Sequence, residues 1–340
     1  MDIMSTVGRI YSRLGDDISK EYFKARLLYS TTGDYAEICR MVSLTYPGEA
    51  IREKIKSVPD AVPFIWGAGF CGAVVKRSFP DVNWFGFIDS NLSEQFKYGL
   101  PVLSPAQFRD YSEGAVVVVA STDWHTQIIE QLEADGFPME KVIDAGQMIL
   151  DLFERQYFDL PYLRPSVDEV FVDAGCFDGS TVRSFIKWAK GTYEEILAFE
   201  PDPKCFHVCG EKLADVRGLS LNQQGLWNEK SELSFSAVGD STSKIMENGE
   251  ERINAIRLDG VADEKKVSFI KMDIEGAEKQ ALLGAADTIR KYRPKLAICI
   301  YHKPEDIWEI PRLILEMNPD YHLYIRHYSL REAETVFYAV

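Results

Sequence analysis

The sequence lacks the long hydrophobic run that a membrane-spanning helix needs. None of its 340 residues belongs to an apolar stretch of about 18 or more. The first residues also lack a basic segment followed by an apolar one, which a secretion signal requires. Hydrophobic residues still make up 46% of the chain, enough for the buried cores of two domains. We therefore expect a folded cytoplasmic protein with no membrane span.

Basic residues are scarce relative to acidic ones. Lysine and arginine total 38 against 53 aspartates and glutamates, so the formal net charge is −15. A surplus of negative charge opposes extended contact with a phosphate backbone. The composition therefore predicts that nucleic acid is not a partner of this protein.

Cysteine is also infrequent, with six residues scattered along the chain, which favours reduced thiols over a disulfide framework. The densest group, Cys205, His207 and Cys209, has a spacing that suggests a metal site. On a helix, however, the two cysteines share one face while His207 points away, and no second cluster completes four ligands. We interpret this group as structural.

The residue pattern of the first 150 positions predicts two segments that precede the main domain. Residues 1–60 have apolar residues at steps of three and four, which predicts a helical segment that packs or forms a homodimer. Residues 61–150 predict a small Rossmann-like α/β domain, in which the strand Pro63–Trp66 runs into the G-x-G-x-x-G turn Gly67–Gly72. Because no acid precedes Gly67, this turn is compatible with a phosphate. Whether the small domain binds any ligand stays open.

The remaining chain is organised around Val170–Thr181, an apolar run that ends in Asp173 and continues into a glycine-containing turn. This pattern predicts a buried parallel strand, a tight turn and the start of a helix. Gly175 and Gly179 allow the backbone to bend and to approach a ligand closely. Asp173 would repel a pyrophosphate at the helix N-terminus, so the turn favours a cationic ligand.

A second acid follows the next predicted strand. Ile196–Glu200 is a short apolar run whose terminal acid lies 21 residues after Gly179, which is a suitable distance for a βαβ unit. Glu200 is then placed to accept hydrogen bonds from ribose hydroxyls. S-adenosyl-L-methionine satisfies both demands, because its sulfonium is positive and its ribose needs an acceptor. We therefore predict this molecule as the cofactor.

The later pattern completes a seven-stranded sheet. Predicted strands cover 219–223, 267–273, 295–301, 321–326 and 335–340, and the last two form an antiparallel end. Segments 231–238 and 253–258 predict an antiparallel insertion around the polar loop 239–251. A single helix is predicted from Ile274 to about Lys291. The fold class is therefore α/β, with a Rossmann-like, seven-stranded class I methyltransferase domain over residues 151–340.

Three stretches resemble the FkbM family of methyltransferases: Val170–Thr181, Ala198–Pro203 and the distinctive Phe269–Leu282. The resemblance covers residues 165–340 approximately. It implies O-methylation that depends on S-adenosylmethionine, typically of sugars, glycans or related natural products. One departure is Cys176–Phe177, where the family often has Ala-Asn. The small domain more loosely resembles a Rossmann-like module associated with nucleotide sugars in glycan-modifying enzymes.

The resemblance implies that Asp173, Gly175, Gly179 and Glu200 hold the cofactor and that Asp273 and Glu275 face the reacting centre. The full set of predicted cofactor-binding residues is Asp173, Ala174, Gly175, Cys176, Phe177, Asp178, Gly179, Ser180, Thr181, Glu200, Pro201, Asp202, Gly225, Leu226, Trp227 and Asp273. Trp227 follows the third strand, where an aromatic ring could lie against adenine or belong to the core.

Methyl transfer to a hydroxyl requires a group that takes the proton. We predict His302 as this base and Asp273 or Glu275 as the residue that orients it or the acceptor hydroxyl, because all three follow adjacent strands. A metal held by these residues is a less favoured alternative. A non-catalytic module that binds S-adenosylmethionine or a nucleotide in glycan biosynthesis, and an oxidoreductase that uses Gly67–Gly72, are two others. The expected acceptor is a small molecule or carbohydrate.

Overall fold

The computed structural model describes residues 2–58, 60–91, 93–236, 244–245, 251–262 and 264–340. They divide into two compact units, each of which is described by itself. The first comprises 1–23, 155–326 and 333–340, and the second comprises 24–154 and 327–332. These limits differ from the predicted ranges 1–60, 61–150 and 151–340, which stay a prediction about domains that fold independently.

The first half of the chain alternates helices and strands after four initial helices. In order, the elements are α1 Ile3–Arg13, α2 Asp17–Thr32, α3 Tyr35–Ser43, α4 Tyr46–Ser57, β1 Val62–Trp66, α5 Phe70–Ser78, β2 Gly86–Ile88, β3 Phe96–Lys97, β4 Leu100–Leu103, α6 Pro105–Phe108, β5 Ala115–Val119, α7 His125–Ala134, β6 Val142–Asp144 and α8 Ala145–Arg155.

The second half follows the same alternation. Its elements are β7 Val170–Ala174, α9 Ser180–Trp188, β8 Glu195–Phe199, α10 Pro203–Lys212, β9 Leu219–Asn222, β10 Gly225–Leu226, β11 Ser231–Ser236, β12 Lys244–Ile245, β13 Glu251–Ile256, α11 Leu258–Val261, β14 Phe269–Met272, α12 Glu278–Leu283, α13 Ala286–Tyr292, β15 Lys295–Cys299, α14 Asp306–Met317, β16 Leu323–His327 and β17 Thr335–Ala339.

The second unit contains a six-stranded sheet in the order β3-β4-β2-β1-β5-β6. All of its pairings are parallel except the one between β3 and β4. The glycine-rich turn is tight, since a Cβ at Gly72 would lie 1.9 Å from the Gly67 carbonyl oxygen. Asp89 follows β2, and its carboxylate accepts a hydrogen bond from the Ala68 amide at 2.8 Å. The carboxylate of Asp89 is therefore already hydrogen-bonded to the glycine-rich turn.

The first unit contains the predicted seven-stranded sheet, in the order β16-β17-β15-β14-β7-β8-β9. Strands β15, β14, β7, β8 and β9 pair in parallel, and β17 pairs antiparallel with β15. All residues of β7 and β14 are buried, as expected for parallel strands with both faces covered. The carboxyl ends of β7, β8, β14 and β15 consequently meet at one edge of the sheet.

The predicted antiparallel insertion is present, because β11 pairs antiparallel with β13. Together with β10 and β12 it forms a small four-stranded sheet. Most of the polar loop predicted at 239–251 lies outside the described residues.

One predicted helix is wrong in its extent. The expected helix from Ile274 to Lys291 is two helices, α12 and α13, which follow a tight turn at 274–277. Gly284 separates them and lies against the backbone of Trp227, where a Cβ would come within 1.9 Å of the Trp227 carbonyl oxygen. The close approach of the two backbones interrupts the helix, and the apolar periodicity alone did not reveal it.

The start of the chain covers the outer strand β16. Gly15 donates a backbone hydrogen bond to Leu323 at 2.9 Å, and the Ile325 amide donates to the Ser19 hydroxyl at 3.0 Å. An ion pair at 2.7 Å joins Arg326 to Asp16. These contacts occupy polar groups of an edge strand that would otherwise be open to pairing with another chain. Within the described residues, no helix is long and apolar enough to cross a membrane.

Candidate active site

A cavity of about 470 Å³ lies at the carboxyl ends of the central strands. Its volume is within the range of small-molecule sites. The residues that line it are Gln156, Tyr157, Ala174, Gly175, Phe177, Ser180, Thr181, Phe199, Glu200, Pro201, Gln224, Gly225, Leu226, Ile253, Lys271, Asp273, Ile274, Glu275, Ala277, Tyr301, Ala333 and Glu334. Ligands of open α/β sheets bind at this edge.

The turn after β7 forms one wall of the cavity. Gly175 has a φ of +75°, and a Cβ at this position would lie 2.0 Å from the Asp273 carbonyl oxygen. Only glycine fits between the ends of β7 and β14 without displacing the backbone. The turn leads through Gly179, whose φ is +81°, into α9. The backbone is thereby kept close to the space where a ligand would lie.

A buried ion pair supports this turn from below. The Lys271 ammonium lies 3.0 Å from the Asp173 carboxylate, and the two side chains are 2% and 0% exposed. Lys271 also donates hydrogen bonds to the carbonyl oxygens of Ala174, at 3.2 Å, and of Gly175, at 2.6 Å. Burial opposes the charge of Lys271, but Asp173 and Asp273 outweigh it and raise the pKa of the lysine. Asp173 does not line the cavity; it anchors the lysine that holds the turn.

Glu200 lies at the end of β8 and lines the cavity. Its carboxylate accepts hydrogen bonds from the backbone amides of Phe177 and Asp202, each at 2.9 Å. Burial raises the pKa of Glu200 to about 7, although these two amide donors oppose the shift. The side chain is therefore fixed in place, and its ionisation is sensitive to pH near neutrality.

Asp273, at the end of β14, is the centre of a polar cluster. Its carboxylate accepts hydrogen bonds from the hydroxyl of Tyr157 at 2.7 Å and from that of Tyr301 at 3.0 Å. Burial raises the pKa values of both tyrosines, so their hydroxyls remain protonated and donate. Burial alone would favour protonation of Asp273, but Lys271, His302 and the two tyrosine hydroxyls hold its pKa below the ordinary value. The carboxylate is ionised.

His302 is surrounded by carboxylates. Its Nδ1 lies 3.0 Å from Glu278, and its Nε2 lies 3.4 Å from Asp273 and 3.5 Å from Glu275. Burial opposes protonation of the ring, but these acids raise the pKa of His302 to about 11. A ring that is already protonated at neutral pH has no lone pair to accept a proton. The raised pKa disfavours His302 as a free base, and its catalytic role stays a prediction. Ligand atoms of Asp273, Glu275 and His302 all lie within 4.8 Å of one another, so these residues could also hold a metal ion.

Backbone strain is concentrated at the same cavity. Four of its non-glycine lining residues have left-handed φ values: Tyr157 at +73°, Phe177 at +48°, Glu275 at +54° and Glu334 at +64°. Such conformations are uncommon and unfavourable for side chains larger than glycine, and they cluster at functional sites. The strain is independent support for the cavity as the functional site.

The structure brings most of the predicted site residues to the cavity, but not all of them. Ala174, Gly175, Phe177, Ser180, Thr181, Glu200, Pro201, Gly225, Leu226, Asp273 and Glu275 line it, whereas Asp173, Cys176, Asp178, Gly179, Asp202, Trp227 and His302 do not. Two members of the second group make contacts that stabilise neighbouring elements. Asp202 caps α10 by accepting from the amides of Lys204 and Cys205, and Asp178 pairs with Lys212 at 2.6 Å.

Several lining residues were not predicted. Tyr157 and Gln156 precede the first strand of the sheet and belong to no motif, and Glu334 lies in the final loop. Burial, and then the charge of Asp273, raise the pKa of Glu334 to about 7, against the opposing hydrogen bond from Gln156. The sequence does indicate that Lys271 has a special role, because a lysine inside the apolar strand Phe269–Met272 needs a buried partner.

Comparisons with known proteins agree with this geometry. Residues 173–331 match the model of the methyltransferase FkbM domain. The chain is similar to the 2-O-methyltransferase NoeI of Sinorhizobium fredii (strain NBRC 101917 / NGR234), with 23% identity over 254 residues, or 67% of this chain and 89% of that protein. It also resembles the solved structure of an FkbM methyltransferase from Methylobacillus flagellatus KT, with a TM-score of 0.51 and 19% identity over 95% of this chain and 99% of that chain.

The match to the family model lies on the same strands that form the cavity, and the structural likeness shows the same fold. The resemblance read from the sequence motifs is therefore confirmed. Residues 173–331 form a methyltransferase FkbM domain, and the chain is a methyltransferase that depends on S-adenosylmethionine.

Proposed function

We propose that this enzyme transfers a methyl group to a hydroxyl oxygen of a sugar, a glycan or a related natural product. The observation that carries the proposal is that one cavity contains both Glu200 and the cluster of Asp273 with its two tyrosine hydroxyls. Such groups suit an acceptor rich in hydroxyls. The name of the relative NoeI, a 2-O-methyltransferase, supports the same reaction.

A cytoplasmic location, a possible homodimer and the absence of a nucleic-acid partner stay predictions from the sequence.

The charges of the cavity fit the cofactor. Among the described residues that line it, the acids are Glu200, Asp273, Glu275 and Glu334, and the basic residue is Lys271. This excess of acids favours a cationic sulfonium and disfavours a pyrophosphate. When bound, S-adenosylmethionine supplies an electrophilic methyl carbon. We assign Glu200 to the ribose hydroxyls, and the turn through Gly175 to close backbone contact with the cofactor.

The acceptor hydroxyl must lose its proton during transfer. Two carboxylates of the cavity, Glu200 and Glu334, have pKa values of about 7, which suit a base that works near neutral pH. Glu200 is held by two backbone amides and is assigned to the ribose, which leaves Glu334 for the base. Gln156 donates a hydrogen bond to its carboxylate and fixes its orientation. We assign the base to Glu334 in place of His302. Asp273, held by Tyr157 and Tyr301, positions the acceptor.

The affinity for S-adenosylmethionine is expected to weaken as the pH falls through neutrality. Glu200 has a raised pKa of about 7, so it becomes protonated below that pH and can no longer accept hydrogen bonds on both oxygens. If binding needs the carboxylate, Kd should rise about tenfold between about pH 8 and pH 6. Calorimetric titration across this range measures the effect. In Glu200→Gln the affinity should be weak and its dependence on pH largely lost. An equally steep dependence in that variant would contradict the assignment.

Glu334→Gln is expected to lower kcat about 100-fold or more while cofactor affinity changes little, because the amide keeps the shape of the side chain but cannot take a proton. The rise of kcat/KM with pH around neutrality should disappear. Steady-state rates across the pH range provide the measurement. Glu332→Gln, which changes a neighbouring acid that does not line the cavity, is the matched control. An unchanged pH profile in Glu334→Gln would remove the residue from the mechanism.

The acceptor class is tested by a screen with S-adenosylmethionine that carries a labelled methyl group. Nucleotide sugars, free oligosaccharides and alcohols without a sugar ring form three arms, and mass spectrometry identifies methylated products. The proposal expects transfer to at least one hydroxyl acceptor of the first two arms, or to a natural product that bears a sugar. Transfer only to the alcohols without a sugar ring would contradict it.

A further inference from the structure

We propose that Asp273, Glu275 and His302 bind a divalent cation, Mn²⁺ or Mg²⁺, whose open coordination positions receive the acceptor hydroxyl. This inference rests on the proposed function for the nature of the acceptor. The three side chains come from the end of β14, from the tight turn that follows it and from the residues after β15. They therefore converge at the edge of the sheet where the cavity lies.

The separations between the ligand atoms suit a metal ion. The His302 Nε2 lies 3.4 Å from the Asp273 carboxylate and 3.5 Å from that of Glu275, and the three ligand atoms lie within 4.8 Å of one another. In an octahedral site with bonds of about 2.1 Å, neighbouring ligands are about 3 Å apart and opposite ligands about 4.2 Å apart. Shifts of a few tenths of an ångström bring the three atoms to these values.

The environment of His302 is a second and independent indication. Its side chain is only 7% exposed, and its Nε2 makes no hydrogen bond of acceptable geometry. Nδ1 lies 3.0 Å from the Glu278 carboxylate, which is fixed by the Ile274 amide at 2.9 Å. A carboxylate behind one nitrogen of a histidine is the usual outer partner of a metal ligand, because it directs the lone pair of the other nitrogen outward. In His302 the other nitrogen, Nε2, is directed toward two carboxylates.

Two anionic oxygens beside Nε2 require a cation between them, which is either a proton on the ring or a metal ion that replaces that proton. The backbone nevertheless maintains this arrangement at a cost. Glu275 has a φ of +54° and precedes Gly276, whose φ is +89°, so the turn is left-handed. Lys303 donates a hydrogen bond to the Gly276 carbonyl oxygen and stabilises the turn. Strain that places a carboxylate beside a buried histidine is explained by a bound cation.

The donor set indicates which cation binds. Two carboxylates and one imidazole favour Mn²⁺ or Mg²⁺ over the softer metals that prefer thiolates. Three protein ligands leave other positions of an octahedral ion for water and for the acceptor hydroxyl. A cation at this place would polarise that hydroxyl and ease the loss of its proton to Glu334.

Titration of the full-length, chelator-treated protein with Mn²⁺ alone tests the site, with the electron paramagnetic resonance signal of free Mn²⁺ as the readout. We expect one Mn²⁺ bound per chain. His302→Ala and Glu275→Gln should each weaken binding at least about tenfold, and Glu278→Gln about 10- to 100-fold. The Glu275 side chain is 27% exposed, so its variant is the safer one for folding. His207→Ala is the matched control, because His207 is 77% exposed and pairs only with Glu211 in the described contacts.

Absence of stoichiometric Mn²⁺ binding would overturn the inference, as would equal binding by wild type, His302→Ala and Glu275→Gln. A proton in place of the metal gives a distinct result: the ring nitrogens of His302 would show the doubly protonated form by NMR, unchanged by excess Mg²⁺. Full methyl transfer in excess chelator would also reject the metal while it preserves the proposed function. Conversely, stoichiometric Mn²⁺ binding without transfer to any hydroxyl would preserve the site and reject the acceptor class.

Discussion

Lys271→Met is expected to lower the free energy of unfolding by about 3–5 kcal/mol, because it leaves the Asp173 carboxylate buried without its counter-ion. Both side chains are inaccessible to solvent, and the lysine also satisfies the carbonyl oxygens of Ala174 and Gly175. Burial of an unpaired charge is among the largest effects that a single substitution can have. Urea denaturation near neutral pH, followed by circular dichroism, measures the change.

Two further variants distinguish the loss of this buried ion pair from the removal of any lysine charge. Lys266→Met removes an exposed lysine whose partner Asp168 lies 3.4 Å away, and it should change stability by less than about 1 kcal/mol. The double variant Asp173→Asn with Lys271→Met removes both charges and should recover part of the lost stability. A change below about 1 kcal/mol in Lys271→Met would show that the pair does not support the turn.

Asp273→Asn is expected to reduce kcat by about 1,000-fold or more. The substitution keeps the size of the side chain but removes the charge that holds the hydroxyls of Tyr157 and Tyr301 and that faces His302. Loss of a positioned charge in an enclosed site commonly costs two to four orders of magnitude in rate. Single-turnover kinetics with labelled cofactor measure the chemical step directly.

The matched control for this variant is Asp215→Asn, since Asp215 is 74% exposed and pairs with Arg183 on the surface. Its rate should equal that of the wild type. Cofactor affinity in Asp273→Asn should change far less than kcat, which separates the reacting centre from the binding contacts of Glu200. Equal losses in kcat and in cofactor affinity would instead make Asp273 a general binding residue.

The elements that carry the chemistry could be predicted from the sequence because their signals are local. Val170–Thr181 and Ile196–Glu200 each combine an apolar strand with an acid at its end, and the structure places Gly175 and Glu200 in one cavity. The sheet of seven strands follows from the same alternation. These predictions depend only on neighbouring residues and on the rule that parallel strands end at one edge.

What the sequence did not reveal depends on contacts between distant residues. Tyr157 reaches Asp273 across 116 positions, and Lys271 reaches the carbonyl oxygen of Ala174 across 97. No spacing rule identifies such partners. The charge of His302 is a further example, because it depends on three carboxylates around one ring, which raise its pKa. Its position after β15 was apparent, whereas its charge was not.

The atom that receives the methyl group decides whether the proposed reaction is correct. The wild-type enzyme is incubated with an acceptor and S-adenosylmethionine labelled with ¹³C at the methyl carbon, and the product is examined by NMR. We expect the label on an oxygen that was a hydroxyl group of the acceptor, and we expect Asp273→Asn to abolish its appearance. Label on nitrogen or carbon, or undiminished transfer by Asp273→Asn, would contradict the proposed reaction at this cavity.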